Sequence, residues 1–198
     1  MAGDTQVIRT ARHVAVRELT ALVVSWKPKV IAVDSPPAFP TSGRSRETEA
    51  WLRGLGMNLF ATPWNPTKQA NHFYDWMREG FGAYRATDAC GFSLFDGGES
   101  VSERTIEVFP FASAAVLSGG GRPLGVSKSR WRRDVLERVG VDTSNLSGPD
   151  QIDAALAALT GLRALSGSFC WQGEPSEGSI VLPCRAEDLL PRYTRRPV

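Results

Sequence analysis

The chain has 198 residues, 42% of them hydrophobic and 22% charged, with a formal net charge of +2, which describes a folded domain with a real core and excludes global disorder. So mild a charge neither argues for a nucleic-acid partner nor excludes one, and three scattered cysteines without a CxxC pair suggest neither a disulfide framework nor a zinc knuckle. The opening Met1-Ala2-Gly3-Asp4-Thr5 has no apolar signal core and no stretch reaches the length of a membrane span, so a cytoplasmic protein without a membrane partner is expected.

From about 10 to 26, Val16, Leu19, Val23 and Trp26 recur at helical spacing, with Arg12, Arg17 and Glu18 off that stripe. This predicts an amphipathic helix stopped by Lys27-Pro28. Val30-Ile31-Ala32-Val33 then reads as a strand over 29–34, buried on both faces and closed by Pro36-Pro37. Asp34 falls at its carboxyl end, where open α/β sheets place ligands. A bare acid there needs water, a hydrogen bond or a cation, while an Asx turn or helix cap is the structural alternative of equal weight. After Thr41-Ser42-Gly43, the charged run 44–49 begins a helix through Trp51 and Leu52 to a stop at Gly54-Leu55-Gly56.

Aromatic residues crowd the stretch from 57 to about 100, among them Phe60, Trp64, Phe73, Trp76 and Tyr84. It reads as a helical insertion with a helix over about 67–86, its aromatics belonging to the core more than to a base-stacking platform because several recur at helical spacing. Thr105-Ile106-Glu107-Val108-Phe109 predicts a second strand over 104–109, with Ile106 and Val108 on one face and Thr105, Glu107 and Phe109 on the other. A short helix at 111–117 is broken by Gly119-Gly120-Gly121, which lacks the context of a phosphate loop. A basic helix is expected over 127–139. Another begins at Ser147-Gly148-Pro149-Asp150, with Asp150 in capping-box position, and runs to about 165 on an Ile152, Ala155, Leu156, Leu159 stripe. Ile180-Val181-Leu182-Pro183 suggests a last short strand, within one domain spanning 1–198.

Four acids carry the chemistry: Asp34, Glu107, Asp150 and Asp153. Asp153 lies at the edge of its helix's apolar stripe and can face the rim of the sheet. Asp150 lies further round and fits a cap better. For Glu107, in a strand of apolar residues, the best structural alternative is a salt bridge to an arginine. Convergent carboxylates without a partner histidine suit Mg²⁺ or Mn²⁺, and two such ions would clamp the oxygens of a phosphodiester. His13, His72 and the thiols form no nucleophile–base pattern.

The ordered set of apolar strand–Asp34-x-Pro36, Arg44-x-Arg46-Glu47, Ile106-Glu107-Val108-Phe109-Pro110, Lys128 with Arg132-Arg133, Asp150-x-x-Asp153-Ala154 and Glu177-Gly178-x-Ile180-Val181-Leu182-Pro183 resembles the domain of unknown function numbered 429. That family is described as predicted nucleases of RNase H-like fold, and the likeness runs from about 12 to 183. The resemblance implies an α/β three-layer domain and Asp34, Glu107 and Asp153 as acidic site residues. It also implies Arg44 or Arg46, Lys128, and Arg132 or Arg133 as polar neighbours able to meet phosphate. RNase H-like domains open on a region whose central strand bears a further Asp. Here Met1 leads almost directly into the first helix and Asp4 sits in no apolar strand, so an N-terminally incomplete fold is expected. The expected function is Mg²⁺- or Mn²⁺-dependent cleavage of nucleic acid. The alternative is a non-catalytic, partner-dependent module whose uncovered strand edge accepts another chain or a second copy.

Overall fold

The computed structural model describes residues 5–6, 14–40, 43, 45–57 and 59–193. The expectations resting on Asp4, on His13, on Arg44 and on the first residues of the N-terminal helix fall outside them. The described elements are β1 (Thr5–Gln6), α1 (Val16–Trp26), β2 (Ile31–Val33), α2 (Glu47–Gly54), α3 (Pro66–Gln69), α4 (Asp75–Asp88), β3 (Ser93–Leu94), β4 (Arg104–Glu107), α5 (Pro110–Ser118), α6 (Lys128–Arg138), β5 (Val141–Asp142), α7 (Pro149–Leu165), β6 (Cys170–Gln172) and β7 (Ile180–Leu182). All three cysteines are free. None of the helices is long and apolar enough to cross a membrane.

The two strands most legible in the sequence lie side by side. β2 and β4 pair in parallel, Ile31 opposite Thr105, Ala32 opposite Ile106 and Val33 opposite Glu107. On its other edge β4 pairs first with β3 and then, at Glu107, with β7, which carries antiparallel β6. β4 is therefore the centre of the main sheet, while β1 and β5 form a separate parallel pair. Among the described residues β2 borders the sheet, and its three residues are half-buried.

Alternation along β4 sets the layers as expected. Ile106 and Val108 point toward α7, packing with Ala157, Ala164 and Val181. Thr105 points the other way and donates its hydroxyl to Thr87 of α4 at 2.8 Å. Helices thus cover both faces of the sheet. A larger apolar cluster joins α5, α6, α7 and β7 around Trp131, Leu136, Leu156 and Leu182.

The 57–100 region is tied into this frame, since α4 lies on β2 and β4 and β3 enters the sheet. In place of one helix over 67–86 the chain makes three starts. Asn65 accepts from the Thr67 amide to begin α3, and Asn71 accepts from the Phe73 amide to begin a 3-10 turn that runs into α4. Short polar side chains that satisfy local amides interrupt a helix this way. The start of α7 also departs from expectation: its cap is Gly148 without a side-chain bond, and Gln151 rather than Asp150 reaches back to Ser147.

Two close approaches position the end of β2. Tyr84 of α4 donates its hydroxyl to the Ser35 carbonyl at 2.8 Å, and Gly80 lies so near that an added Cβ would stand 1.9 Å from Ser35 Oγ. Gly80→Ala should therefore destabilise the fold by roughly 1–3 kcal/mol, because overpacking must displace the turn after β2. Gly54→Ala, with nothing within 4 Å of the added atom, should be neutral or stabilising by up to about 1 kcal/mol. Denaturant unfolding of both variants checks the contrast.

Candidate active site

The carboxyl ends of β2 and β4 open into a cleft of about 430 Å³, its solvent mouth included. Asp34, Ser35 and Pro36 line it from β2, Glu107 to Phe109 from β4, and Arg46 and Glu49 from α2 and its cap. Leu59, Phe60, Thr62, Trp76 and Met77 supply the wall opposite.

Beneath the cleft lies a buried ion-pair network. Arg46 grips Glu107 with both terminal nitrogens, Nη1 to Oε2 at 2.7 Å and Nη2 to Oε1 at 2.6 Å, a planar fork on a planar acid. Its Nε donates to Glu49 Oε1 at 3.2 Å and its Nη1 also to the Glu177 carbonyl at 3.1 Å. Glu49 Oε1 also accepts from the amide of Thr62 at 3.0 Å and from the Thr62 hydroxyl. Glu49 Oε2 is buried with no hydrogen-bond partner among the described residues. Burial opposes the charge on Arg46, but Glu107 and then Glu49 more than reverse this and raise its pKa. Burial raises that of Glu107, with Arg46 opposing.

A second cluster, of Asp34, Asp153 and Arg132, meets the cleft through Asp34. Asp34 is pushed up to about 7, chiefly by loss of water, then by the like charge of Asp153 against the opposing pull of Arg132, with Glu107 adding a little. Its residue also keeps open surface, where water moderates the effect. Asp153 is half-buried and raised as well, by burial first, with Arg132 opposing, Asp150 raising and Lys128 lowering. Arg132 Nη1 reaches both Asp153 oxygens at 2.5 Å, and its Nε is buried without a partner among the described residues.

The acids named from sequence therefore divide into two sets. Asp34 feels the charge of Asp153, and Asp153 that of exposed Asp150. Glu107 reaches them only weakly, and both its oxygens belong to Arg46. Among the cations, Arg46 is buried in that pair rather than presented to solvent. Arg133 spends its two terminal nitrogens on the carbonyls of Thr143 and Leu146, at 2.8 and 2.6 Å. Lys128 is exposed. Among the described residues no three His, Cys, Asp or Glu side chains gather as a ready metal-ligand group.

Sequence reasoning missed the supporting residues Glu49, Thr62, Tyr84 and Gly178. Gly178 has φ +91°, and a Cβ there would meet Pro37 Cγ at 2.4 Å and Glu107 Oε2 at 3.1 Å, so the Glu177-Gly178 step admits only glycine beside the ion pair. The signals were the left-handed turn demanded of a glycine after an acid and the polar pair Glu49 and Thr62 in apolar surroundings.

A family model described as a protein of unknown function, DUF429, matches residues 4–177. The chain belongs to the DUF429 family. No curated protein and no solved structure matches it. For this DUF429 protein the motif-bearing residues Arg46, Glu107 and Glu177-Gly178 thus have a visible physical task, the buried pair that shapes the cleft floor.

Arg46→Ala should destabilise the fold by about 3–5 kcal/mol, since it strands buried Glu107 and Glu49 without their counter-charge. Thermal and denaturant unfolding read this directly. For Asp34, the raised folded-state value means that the folded chain holds the proton more tightly than the unfolded chain. The associated stability is present below the ordinary value of 3.8 and is lost as pH rises toward about 7. Asp34→Asn should match the parent at low pH, exceed it in thermal midpoint above pH 7, and flatten the pH dependence between.

Proposed function

We propose that this protein is a divalent-metal-dependent phosphodiesterase acting on nucleic acid, with Asp34 and Asp153 as its paired carboxylates and an RNase H-like arrangement of its sheet. The observation carrying this reading is a hard-oxygen acid, Asp34, at the carboxyl end of a parallel strand pair and within the field of a second, Asp153 of α7. Their donor chemistry fits one Mg²⁺ or Mn²⁺ shared between Asp34 and Asp153. It fits a clamp that includes Glu107 poorly, because Arg46 engages both of that residue's oxygens, and a cation at Asp153 would have to share that carboxylate with Arg132, so Asp34 is the principal ligand. A bound cation would supply Lewis acidity toward a phosphoryl oxygen.

The chain's own residues do the rest. Arg132 fixes the Asp153 carboxylate, so its oxygens are held in one orientation. Exposed Lys128 offers a counter-charge for phosphate beside them. Glu107 and Arg46 act from behind, keeping the end of β4 and the start of α2 at a fixed separation from β2.

Asp34→Asn should lower Mg²⁺-stimulated cleavage of nucleic acid roughly a hundredfold or more, and Arg132→Met roughly 10–100-fold, the range for losing a group that orients a ligand. Cleavage by a purified chain that survives Asp34→Asn, or no cleavage with any divalent cation, rejects the reading. One observation favours a second reading, a non-catalytic partner-binding module: β2 has no described strand on its outer edge, where a strand from another chain could add. A mass that rises with concentration in light scattering supports that reading, and a monomer across the range argues against it.

A further inference from the structure

The aromatic residues of the 59–76 stretch are not all core. Phe60 is 71% exposed, Phe73 54%, Trp64 48% and Trp76 44%, although Met77 beside Trp76 is almost fully buried. Phe60 and Phe73 meet edge to face, ring centroids 5.7 Å apart, so the group is assembled rather than scattered. Two of the four, Phe60 and Trp76, line the same cleft as Asp34. Large apolar rings left in water around a cavity mark a binding surface.

The cleft wall also carries an unsatisfied acceptor. Glu49 lines it and is 1% exposed; Oε1 serves Arg46 and Thr62, whereas Oε2 has no partner among the described residues. An unpaired buried carboxylate oxygen is costly and calls for an N–H or O–H from outside the fold. The charge balance points the same way, with Arg46 facing both Glu49 and Glu107. The cleft thus asks for a flat ring with a hydrogen-bond donor on its edge.

From these features we infer that the cleft receives one unpaired nucleobase of a single strand, stacked against Phe60 and Trp76, with an N–H of its Watson–Crick edge donated to Glu49. Every common base carries such a donor on that edge, so the pocket selects an unstacked base over a paired one rather than a sequence. This rests on the nucleic-acid reading above and deepens it, because it places the strand's base beside Asp34.

The test is fluorescence anisotropy of a short labelled single strand with the full chain in a metal chelator, against a strand of equal length carrying abasic sites and against a duplex. Base-bearing single strand should bind more tightly than either control. Trp76→Ala and Phe60→Ala should each weaken it roughly five- to a hundredfold, to the abasic level, while Trp76→Phe retains most of the affinity. Glu49→Gln should weaken the base-bearing strand and leave the abasic one unchanged, with circular dichroism confirming that each variant is folded. Equal binding of abasic and base-bearing strands, or a folded Trp76→Ala variant with parental affinity, overturns the inference. So does displacement of the strand by tetramethylammonium at low concentration, which would make the aromatic group a cage for organic cations. Base-dependent binding without Mg²⁺-stimulated cleavage would leave the pocket standing and remove the phosphodiesterase reading. Cleavage indifferent to Trp76→Ala would do the reverse.

Discussion

The fold around the cleft depends on the bidentate pair between Arg46 and Glu107. Both residues are buried, and their sequence positions lie 61 apart. Two charges removed from water are tolerated only when geometry and added hydrogen bonds compensate the desolvation. Here the compensation is structural information. Arg46 is the cap of α2, Glu107 ends β4, and the Glu177 carbonyl that Arg46 also holds precedes β7. One guanidinium therefore fixes a helix start, the central strand and the turn into the next strand. Thr48, the second residue of α2, accepts from the Ile180 amide and reinforces the same junction.

This constraint explains why the acids divide as they do. A guanidinium that occupies both oxygens of Glu107 leaves a carboxylate with little to offer a ligand, and Arg132 on Asp153 does the same in part, so the chemistry of the site moves outward to Asp34 first and to Asp153 beside it. These two sit where the protein compensates least: Arg132 holds one of them, and both are drawn toward the protonated form. Groups kept at odds with their surroundings are what a binding or catalytic site requires, and they weaken the fold that carries them.

Much of the frame was legible because it follows local rules. The apolar run before Asp34, the alternation around Glu107 and the stripe of α7 each state a periodicity, and β2, β4 and α7 follow it. The strands not read in advance, β1, β3, β5 and β6, have two or three residues each, too few for any period to register. The split of 67–86 was hidden because Asn71 reads as an ordinary polar residue of a helix until its side chain is seen capping the Phe73 amide.

The partners of charged and aromatic groups were less legible, for a physical reason. Periodicity shows which face a residue takes, but not which distant residue fills the space opposite. For Glu107 the salt-bridge alternative was open from sequence, yet nothing local singled out Arg46 among the arginines. Phe60 and Trp76 look like core by composition. Trp76 lies outside because Met77 and Tyr84 already fill the face that α4 turns to the sheet. The same geometry that buries Tyr84 against the Ser35 carbonyl sets Trp76 at the mouth of the cleft, on the same helix. The packing of α4 thus fixes the turn that carries Asp34 and also decides which aromatic ring stands beside it.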